Sequence, residues 1–183
     1  EEIVSLYLFN ANFRQLVFPQ IEKVEINVRC RVSNYFAEQY GALGYLQCEN
    51  FADDIYHSEF LNDMRLEIGR NSKSPFVRNF REHYEGGKLP IYAIVELFSF
   101  GTLSKFYKNM INKDKKAVAK TFGVGYTYFE SWLESIAYVR NICAHYGRLY
   151  NAKLTKTPIL YKEYTQSGIS NNRIYGVLLC LKH

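Results

Sequence analysis

The spacing of the apolar residues, which is helical along nearly the whole sequence, is the strongest constraint on the fold of this chain. One stripe shows the pattern: Ile21, Val24, Val28 and Val32 recur at intervals of three or four residues. Only four Pro and eleven Gly interrupt the 183 residues, which argues against a turn-rich sandwich or barrel. We therefore predict an all-α bundle of about seven or eight helices with no significant sheet.

The same periodicity, together with Pro, Gly and capping residues, predicts where the helices begin and end. An apolar helix over residues 3–18 is followed, after or across Pro19, by a second that ends at Gly41 and Gly44. The remaining predicted segments are 51–68 with Asn50 as its cap, a short helix from Ser74-Pro75 to Gly86-Gly87, an apolar segment over 90–110, a Lys-rich helix over 113–122, a long helix over 126–146 that ends at Gly147, and a last helix capped by Ser170.

Length and composition limit the class of protein. The length fits one domain over residues 1–183, and no apolar run approaches the 18 residues that a membrane span needs. The chain begins with Glu1 rather than Met and ends inside an apolar run, so we expect the central part of a longer protein. Since nothing resembles a signal peptide, we expect a cytoplasmic location.

The four cysteines form no CxxC pair and no metal-site spacing with histidine, so we expect neither a bound metal nor a cofactor. Cys30 and Cys143 lie among apolar residues at helical spacing. We predict that both are buried thiols.

The basic residues are unevenly distributed along the chain. The net charge is +5, but residues 140–183 carry seven Lys and Arg against one acid, Glu163. The basic excess therefore lies in the last 44 residues. Clustered Lys and Arg attract polyanions such as nucleic acids, although a solvated basic surface explains the charge equally well.

The long helix carries the pattern that points to chemistry. When residues 126–146 are placed at about 100° per residue, one arc is apolar: Phe129, Trp132, Leu133, Ile136, Val139 and Cys143. Arg140 falls inside this arc, and His145 follows five residues later. A guanidinium on a buried face must either pair with a carboxylate or reach a cleft, because an unpaired buried charge is costly. A structural ion pair is therefore the alternative to a functional site.

The same pattern of Arg, Asn, three residues and His occurs a second time, from Arg78 to His83. Here the apolar face is formed by other residues of the segment, and Arg78 points almost directly away from it. We therefore predict a solvated helix surface for this second copy.

Three stretches resemble, in order, the Abi-like (abortive infection, AbiD/AbiF-type) family of the HEPN superfamily. They are RNICAHYGRLYN at 140–151, LPIYAIVELFSFGTLSKFY at 89–107, and LYLFN at 6–10 with Arg14, IEKVEI at 21–26 and Arg29. The chain departs from the family pattern at Asn10, where Asp is expected, and at Tyr92 and Tyr150, where Trp is common. The resemblance implies a HEPN-like helical domain whose family members extend beyond both ends of this chain.

The resemblance also implies a metal-independent endoribonuclease of bacterial anti-phage defence. The family's catalytic Arg and His correspond to Arg140 and His145, and its polar residue after the Arg corresponds to Asn141. Such an enzyme leaves a 2′,3′-cyclic phosphate and a 5′-hydroxyl. A non-catalytic RNA-binding module and the toxin of a toxin–antitoxin pair are the alternatives, the latter with an RNA or protein inhibitor as partner.

Positions five apart on an ideal helix differ by about 140°, so Arg140 and His145 do not share one face. Either the long Arg side chain reaches round, or the helix loosens before Gly147. One histidine is also too few for a reaction that needs an acid and a base. HEPN proteins meet both needs by dimerising, so we predict a homodimer with the ends of the two long helices apposed.

The residues after the motif are candidates for RNA contact. We predict phosphate contacts for Arg148, Asn151 and Lys153, and base stacking for Tyr146 or Tyr150. Core packing is the alternative for Tyr150, and a charge interaction with the helix end is the alternative for Arg148. For Lys113, Lys115, Lys116 and Lys120 we expect a solvated helix face rather than an RNA groove.

Overall fold

A computed structural model describes residues 2–182, without the side chain of Glu85. This part of the chain forms nine α-helices and four short 3₁₀ segments, and its only β pairing is an isolated bridge between Phe51 and Met110. The α-helices are α1 (Glu2–Tyr40), α2 (Asp54–Arg70), α3 (Pro75–His83), α4 (Ile91–Ile94), α5 (Phe100–Asn109), α6 (Asn112–Lys120), α7 (Tyr126–Ala144), α8 (Lys162–Gln166) and α9 (Ile174–Cys180). The 3₁₀ segments are Gly44–Leu46, Cys48–Asn50, Glu85–Gly87 and Val95–Leu97. The prediction of an all-α fold is confirmed.

The two helices that the sequence predicts on either side of Pro19 form one continuous helix, α1. Proline inside a helix removes a backbone donor and normally costs about 3 kcal/mol. The helix continues because Val17 and Ile21, on either side of Pro19, are both buried while Pro19 faces solvent. It ends at Tyr40, and Gly41 with a φ of +76° follows, as expected from the sequence.

The chain divides into two compact units, Glu1–Asn27 with Ala119–His183, and Val28–Val118. The first unit contains α7 and the motif that it carries. In this unit Trp132 donates a hydrogen bond from Nε1 to the carbonyl of Ile159 at 2.7 Å, which ties the segment after the motif back to α7. The single domain over residues 1–183 stays a prediction.

The second unit has an aromatic core and a buried acid. Phe36 packs on Phe106 with ring centres 5.1 Å apart. Asp114 is completely buried and accepts hydrogen bonds from the hydroxyls of Tyr35 and Tyr40 at 2.8 and 2.5 Å. Burial and this hydrogen bond raise the pKa of both tyrosines, so they remain neutral donors to the buried carboxylate.

The cap predicted for α2 is wrong. Asp53, not Asn50, caps this helix, and its carboxylate accepts a hydrogen bond from the amide of Tyr56 at 2.9 Å. Asn50 is buried and donates to the carbonyl of Gly44 at 2.9 Å, so its side chain is already engaged by the turn before it.

The cap predicted for the last helix is also wrong. Arg173 rather than Ser170 precedes α9, and the Ser170 hydroxyl donates to the side chain of Asn172 at 2.7 Å. The five-residue helix α8 was not expected, because a single turn is too short to show a periodic pattern.

Two burial predictions also differ from the structure. Cys143 is buried as expected, but Cys30 is exposed, because it lies about 200° round α1 from both Val28 and Val32. Lys115 is buried rather than solvated, since its ammonium donates to the carbonyl of Lys108 in the last turn of α5 at 3.1 Å. The other three lysines of this segment are exposed as predicted: Lys113, Lys116 and Lys120.

Within residues 2–182, no helix has both the length and the apolar character that crossing a membrane requires.

Candidate active site

The apolar arc predicted for the long helix is buried along α7. The side chains of all its members are buried: Phe129, Trp132, Leu133, Ile136, Val139 and Cys143. Arg140 lies on this same face, one turn after Ile136 and three residues before Cys143. Burial of the arc therefore fixes the rotation of α7 and turns the Arg140 side chain inward.

Arg140 pairs with a carboxylate that α1 supplies. Its Nε lies 3.5 Å from Oε2 of Glu25, and its Cζ lies 5.8 Å from the ring centre of Phe18. The Glu25 side chain is only 10% exposed, whereas 33% of the Arg140 side chain remains accessible. The guanidinium is thus held on one side by a nearly buried carboxylate and an aromatic ring; its Nε is buried, while part of the side chain stays accessible.

The end of α7 lies immediately before His145. α7 ends at Ala144, and His145 follows with a φ of −97° and a ψ of 19°. The amide of Tyr146 donates to the carbonyl of Cys143 at 3.2 Å, and that of Gly147 donates to the carbonyl of Ile142 at 2.7 Å. These two bonds close a Schellman turn that begins after His145, while the amide of His145 still bonds to the carbonyl of Asn141, as in a regular helix. The two side chains therefore leave α7 on different faces, and the long side chain of Arg140 would have to reach round.

The left-handed position of this turn is Tyr146, with a φ of +58°, rather than the glycine beside it. Gly147 is needed for another reason. A Cβ at Gly147 lies 2.8 Å from Cγ2 of Ile142 and 3.2 Å from its carbonyl oxygen. A larger residue therefore has no room where the chain turns back over the last turn of α7.

Two buried side chains of α1 contact the backbone after the turn. Arg14 donates from Nη1 to the carbonyl of Gly147 at 2.9 Å. Oδ1 of Asn10 accepts hydrogen bonds from the amides of Leu149 and Tyr150, at 3.1 and 3.0 Å. An acceptor is all that these two amides require, so Asn can stand where the family pattern has Asp.

The charge of Arg14 also acts on α7. Burial raises the pKa of the Cys143 thiol to about 11, and the positive charge of Arg14 opposes that rise. Cys143 is consequently a buried, neutral thiol in the last turn of the helix.

A protein-family model described as Abi-like protein matches residues 1–151. The chain belongs to the Abi-like family. No curated protein and no solved structure matches it. The matched range contains α1 and α7, and thus every contact of Arg140, Arg14 and Asn10 described above. Membership confirms the resemblance and supports a general role in abortive-infection defence.

In this Abi-like protein, His145 and Asn141 are both exposed. The carbonyl of Asn141 accepts a hydrogen bond from the amide of His145 at 3.0 Å. Among the described residues no hydrogen bond joins the Asn141 side chain to the imidazole. The orienting role of Asn141 stays a prediction.

The predicted RNA-contacting residues differ in their surroundings. Arg148 and Lys153 are exposed, and Tyr146 is 80% exposed. Asn151 is engaged instead: Arg173 donates to its carbonyl at 2.9 Å and to its Oδ1 at 3.1 Å. Arg148, Lys153 and Tyr146 can reach a ligand directly, whereas Asn151 first has to leave Arg173.

Tyr150 combines the two alternatives given for it. Its side chain is half-exposed, and its ring meets the ring of Phe9 edge-on with centres 5.1 Å apart. The packing on α1 fixes one edge of the ring and leaves the remainder accessible.

The second copy of the pattern lies on α3 and is exposed, as predicted. Arg78, Asn79 and His83 all face solvent, and Nδ1 of His83 lies 2.9 Å from the carbonyl of Asn79 one turn earlier. The spacing of Arg and His is therefore the same in the two copies, but only the α7 copy has an inward-facing arginine.

Glu25, Asn10 and Arg14 have contacts that the sequence did not assign to them. The signal was present: residues 10, 14, 17, 21, 25 and 28 form one stripe of α1, and Val17, Ile21 and Val28 within it are buried. Three polar residues in an apolar stripe need partners, and the α7 motif supplies them. Among the described residues, no group of three or more His, Cys, Asp or Glu is placed to hold a metal ion.

Proposed function

We propose that this Abi-like protein is a metal-independent endoribonuclease that cleaves RNA by attack of the neighbouring 2′-hydroxyl, with Arg140 and His145 as its catalytic residues. One observation carries the proposal. Arg140 is oriented by the nearly buried Glu25 and still one-third exposed, while His145 is exposed five residues later on the same chain segment. A purely structural ion pair requires neither a partly accessible arginine side chain nor an exposed imidazole.

The two side chains suit the reaction. The 2′-oxygen forms a bond to phosphorus as the bond to the 5′-oxygen breaks, which leaves a 2′,3′-cyclic phosphate and a 5′-hydroxyl. One proton leaves the 2′-hydroxyl and one is delivered to the 5′-oxygen, and imidazole exchanges protons near neutral pH. The guanidinium donates paired hydrogen bonds to phosphate oxygens and remains charged while negative charge develops. Asn141, one turn before His145, is proposed to orient the imidazole.

We further propose that two copies of the chain share the site as a homodimer. Every residue from 2 to 9 of α1 is exposed, and Ile3, Tyr7 and Leu8 have exposed fractions of 85%, 65% and 54%. Apolar side chains on several sides of a helix favour burial against another surface. Phe9 packs on Tyr150, so this apolar surface adjoins the segment that follows the motif. A second copy bound there would bring a second Arg140 and His145 near the first pair.

The RNA partner is inferred from charge and exposure. The surplus of positive charge lies in residues 140–183, the stretch that begins at the motif. Arg148 and Lys153 are exposed there, and Tyr146 offers an accessible ring for stacking on a base. We place the reaction in the cytoplasm, where RNA is present and where the four cysteines, which are all unpaired, stay reduced.

Purified protein incubated with end-labelled RNA in EDTA tests the reaction. We expect cleavage that survives the chelator and produces 2′,3′-cyclic phosphate ends, and no cleavage of the same sequence made with 2′-deoxyribose. Cleavage that stops in EDTA, or that also occurs in the deoxyribose strand, would contradict the mechanism.

The alternatives predict other outcomes of the same assay. Tight binding that leaves the RNA intact would favour a non-catalytic RNA-binding module. Growth arrest on expression that a neighbouring transcript or protein relieves would instead identify the toxin of a toxin–antitoxin pair.

Sedimentation velocity tests the dimer. We expect a dimer at micromolar concentration, and we expect Leu8→Glu to yield monomers without cleavage, because a charge opposes burial of the apolar surface. Ile55→Glu, at another exposed apolar position, is the matched control and should leave both properties unchanged. A monomeric wild-type protein would contradict the shared site.

A further inference from the structure

Two buried polar side chains of α1, Asn10 and Arg14, contact the backbone that follows the motif. They are 5% and 7% exposed, and their partners in the motif lie more than 130 residues away along the chain. Asn10 Nδ2 also donates to the carbonyl of Leu6 at 2.9 Å, which orients the amide so that Oδ1 faces the amides of Leu149 and Tyr150. Both groups of the Asn10 amide are therefore used.

The backbone that they hold lies between two non-glycine residues with positive φ, Tyr146 and Asn151. Tyr146 has a φ of +58°, a conformation that an L-residue with a side chain adopts only at a cost. The tyrosine side chain is almost fully exposed, so its own packing does not hold it there. The neighbouring contacts do. The carbonyl of Gly147 accepts a hydrogen bond from Arg14, and its amide donates to the carbonyl of Ile142. Asn10 accepts hydrogen bonds from the amides of Leu149 and Tyr150.

We propose that Asn10 and Arg14 are positioning residues of the proposed nuclease site, which fix the turn at Tyr146 and thereby the place of the His145 imidazole. The inference rests on the proposed function for the role of His145, but the geometry that it predicts can be measured without any cleavage. His145 is bounded on one side by the last turn of α7 and on the other by Tyr146. Its side chain is exposed, so the backbone on its two sides is what determines where the imidazole lies.

The two residues act through different properties. Asn10 supplies one oxygen that accepts two amides. Asp keeps this acceptor and loses only the donor to the carbonyl of Leu6, whereas Ala loses both. Arg14 supplies a donor and a positive charge next to the carbonyl end of α7, where a cation interacts favourably with the helix. The positive charge of Arg14 acts on the motif, because it opposes the rise that burial causes in the pKa of Cys143.

The nuclear magnetic resonance signal of the His145 Cε1–Hε1 pair, in protein labelled with carbon-13 histidine, tests the inference. Loss of one peak in His145→Gln assigns it. We expect Asn10→Ala and Arg14→Met to move the His145 peak by more than its linewidth and to leave the peak of buried His57 in place. Asn10→Asp should keep the wild-type position, because it retains the accepting oxygen.

Matched controls come from exposed positions of the same residue types. Asn12→Ala lies on α1 beside Asn10, and Arg78→Met removes the exposed arginine of the α3 copy. Neither should move the His145 peak. If Asn10→Ala does not fold, Asn10→Ser keeps a polar group at the position but is too short to reach both amides, and the same shift is expected.

Kinetics give a second readout. We expect Asn10→Ala to lower kcat on RNA by about 100-fold with KM nearly unchanged, because a displaced imidazole affects the reaction more than binding. Asn10→Asp should restore kcat. An unmoved His145 peak in folded Asn10→Ala and Arg14→Met, or an unchanged kcat, would overturn the inference. If the wild type cleaves no RNA at all, the proposed function fails, and the peak positions still decide whether Asn10 and Arg14 position His145.

Discussion

The two copies of one six-residue pattern, Arg78–His83 on α3 and Arg140–His145 at the end of α7, have different surroundings. In the α3 copy the arginine, asparagine and histidine all face solvent. In the α7 copy the arginine lies on a buried face and pairs with Glu25 of α1. The spacing of Arg and His is the same in both copies, so the difference comes from the surrounding apolar residues, which turn Arg140 inward and Arg78 toward solvent, and from Glu25, which the fold brings to Arg140.

The two helices also end differently. α3 ends at His83, Tyr84 follows in an extended conformation, and Gly86 and Gly87 come next, with φ values of +66° and +63°. After α7 the left-handed residue is Tyr146, held by contacts from α1. A glycine turn costs little and needs no support, whereas a tyrosine in the same conformation needs support from elsewhere in the fold. The end of α7 is thus the more constrained of the two.

Removal of the arginine should produce the largest difference between the two copies, measured as the rate of RNA cleavage. We expect Arg140→Ala to reduce the rate of RNA cleavage by about 10²–10³-fold, because charge developing on the phosphate loses its donor. Arg78→Ala should leave the rate unchanged. Initial rates in EDTA, with circular dichroism to check folding, measure both, and equal losses in the two variants would erase the distinction.

A cysteine at the fourth residue of the pattern should react at very different rates in the two copies. Cys143 is buried and its pKa is raised from 9.0 to about 11, so its thiolate fraction near neutral pH is about 100-fold below that of an ordinary thiol. Arg81 occupies the equivalent place in the α3 copy and is exposed. We expect an Arg81→Cys thiol to react with a maleimide at least 100-fold faster than Cys143, as followed by peptide mass spectrometry.

The exposed Cys48 provides the reference rate for that measurement. Modification of Cys143 at the rate of Cys48 in the folded protein would show that the last turn of α7 is not packed as described.

Glycine substitutions after the two helices should both lower stability but should differ in their effect on cleavage. Gly147→Ala places a Cβ 2.8 Å from Ile142, and we expect the free energy of unfolding to fall by about 1–3 kcal/mol, with loss of cleavage. Gly86→Ala meets no atom within 4 Å but strains a positive φ, so we expect a loss of about 1–2 kcal/mol with cleavage retained. Urea unfolding measures both, and a neutral Gly147→Ala would contradict the close approach.

The smallest expected effect is the energetic coupling between the arginine of each copy and a neighbouring carboxylate. A double-mutant cycle on Glu25 and Arg140 should give a coupling of about 1 kcal/mol in unfolding free energy, since one partner is nearly buried and the other partly exposed. The same cycle on Arg78 and Glu82, one turn apart on the surface of α3, should give no more than about 0.5 kcal/mol. Equal couplings would remove the energetic basis for treating the copies differently.

The sequence predicted the parts of this molecule that depend on local pattern. The helical periodicity, the buried arc of α7 and the exposure of the α3 copy all follow from which residues recur every three or four positions. Glycine marked the end of α1, but at α7 the left-handed position fell on Tyr146, one residue before the glycine that the sequence indicates.

The remainder depends on partners that are distant in sequence. Arg140 was expected either to pair or to reach a cleft, and only the fold shows that it pairs with Glu25 while staying one-third exposed. The engagement of Asn151 by Arg173, the burial of Lys115 and the use of Asp53 as a cap were missed for the same reason: each depends on one specific donor or acceptor that several neighbours could have supplied.

The rate of RNA cleavage in EDTA by His145→Ala, measured beside His83→Ala and with RNA binding measured for both, tests the central claim most directly. We predict a loss of about 10²–10⁴-fold for His145→Ala, with binding retained, and the wild-type rate for His83→Ala. Wild-type cleavage by His145→Ala would contradict the account, because the α7 copy would then differ from the α3 copy in structure but not in chemistry.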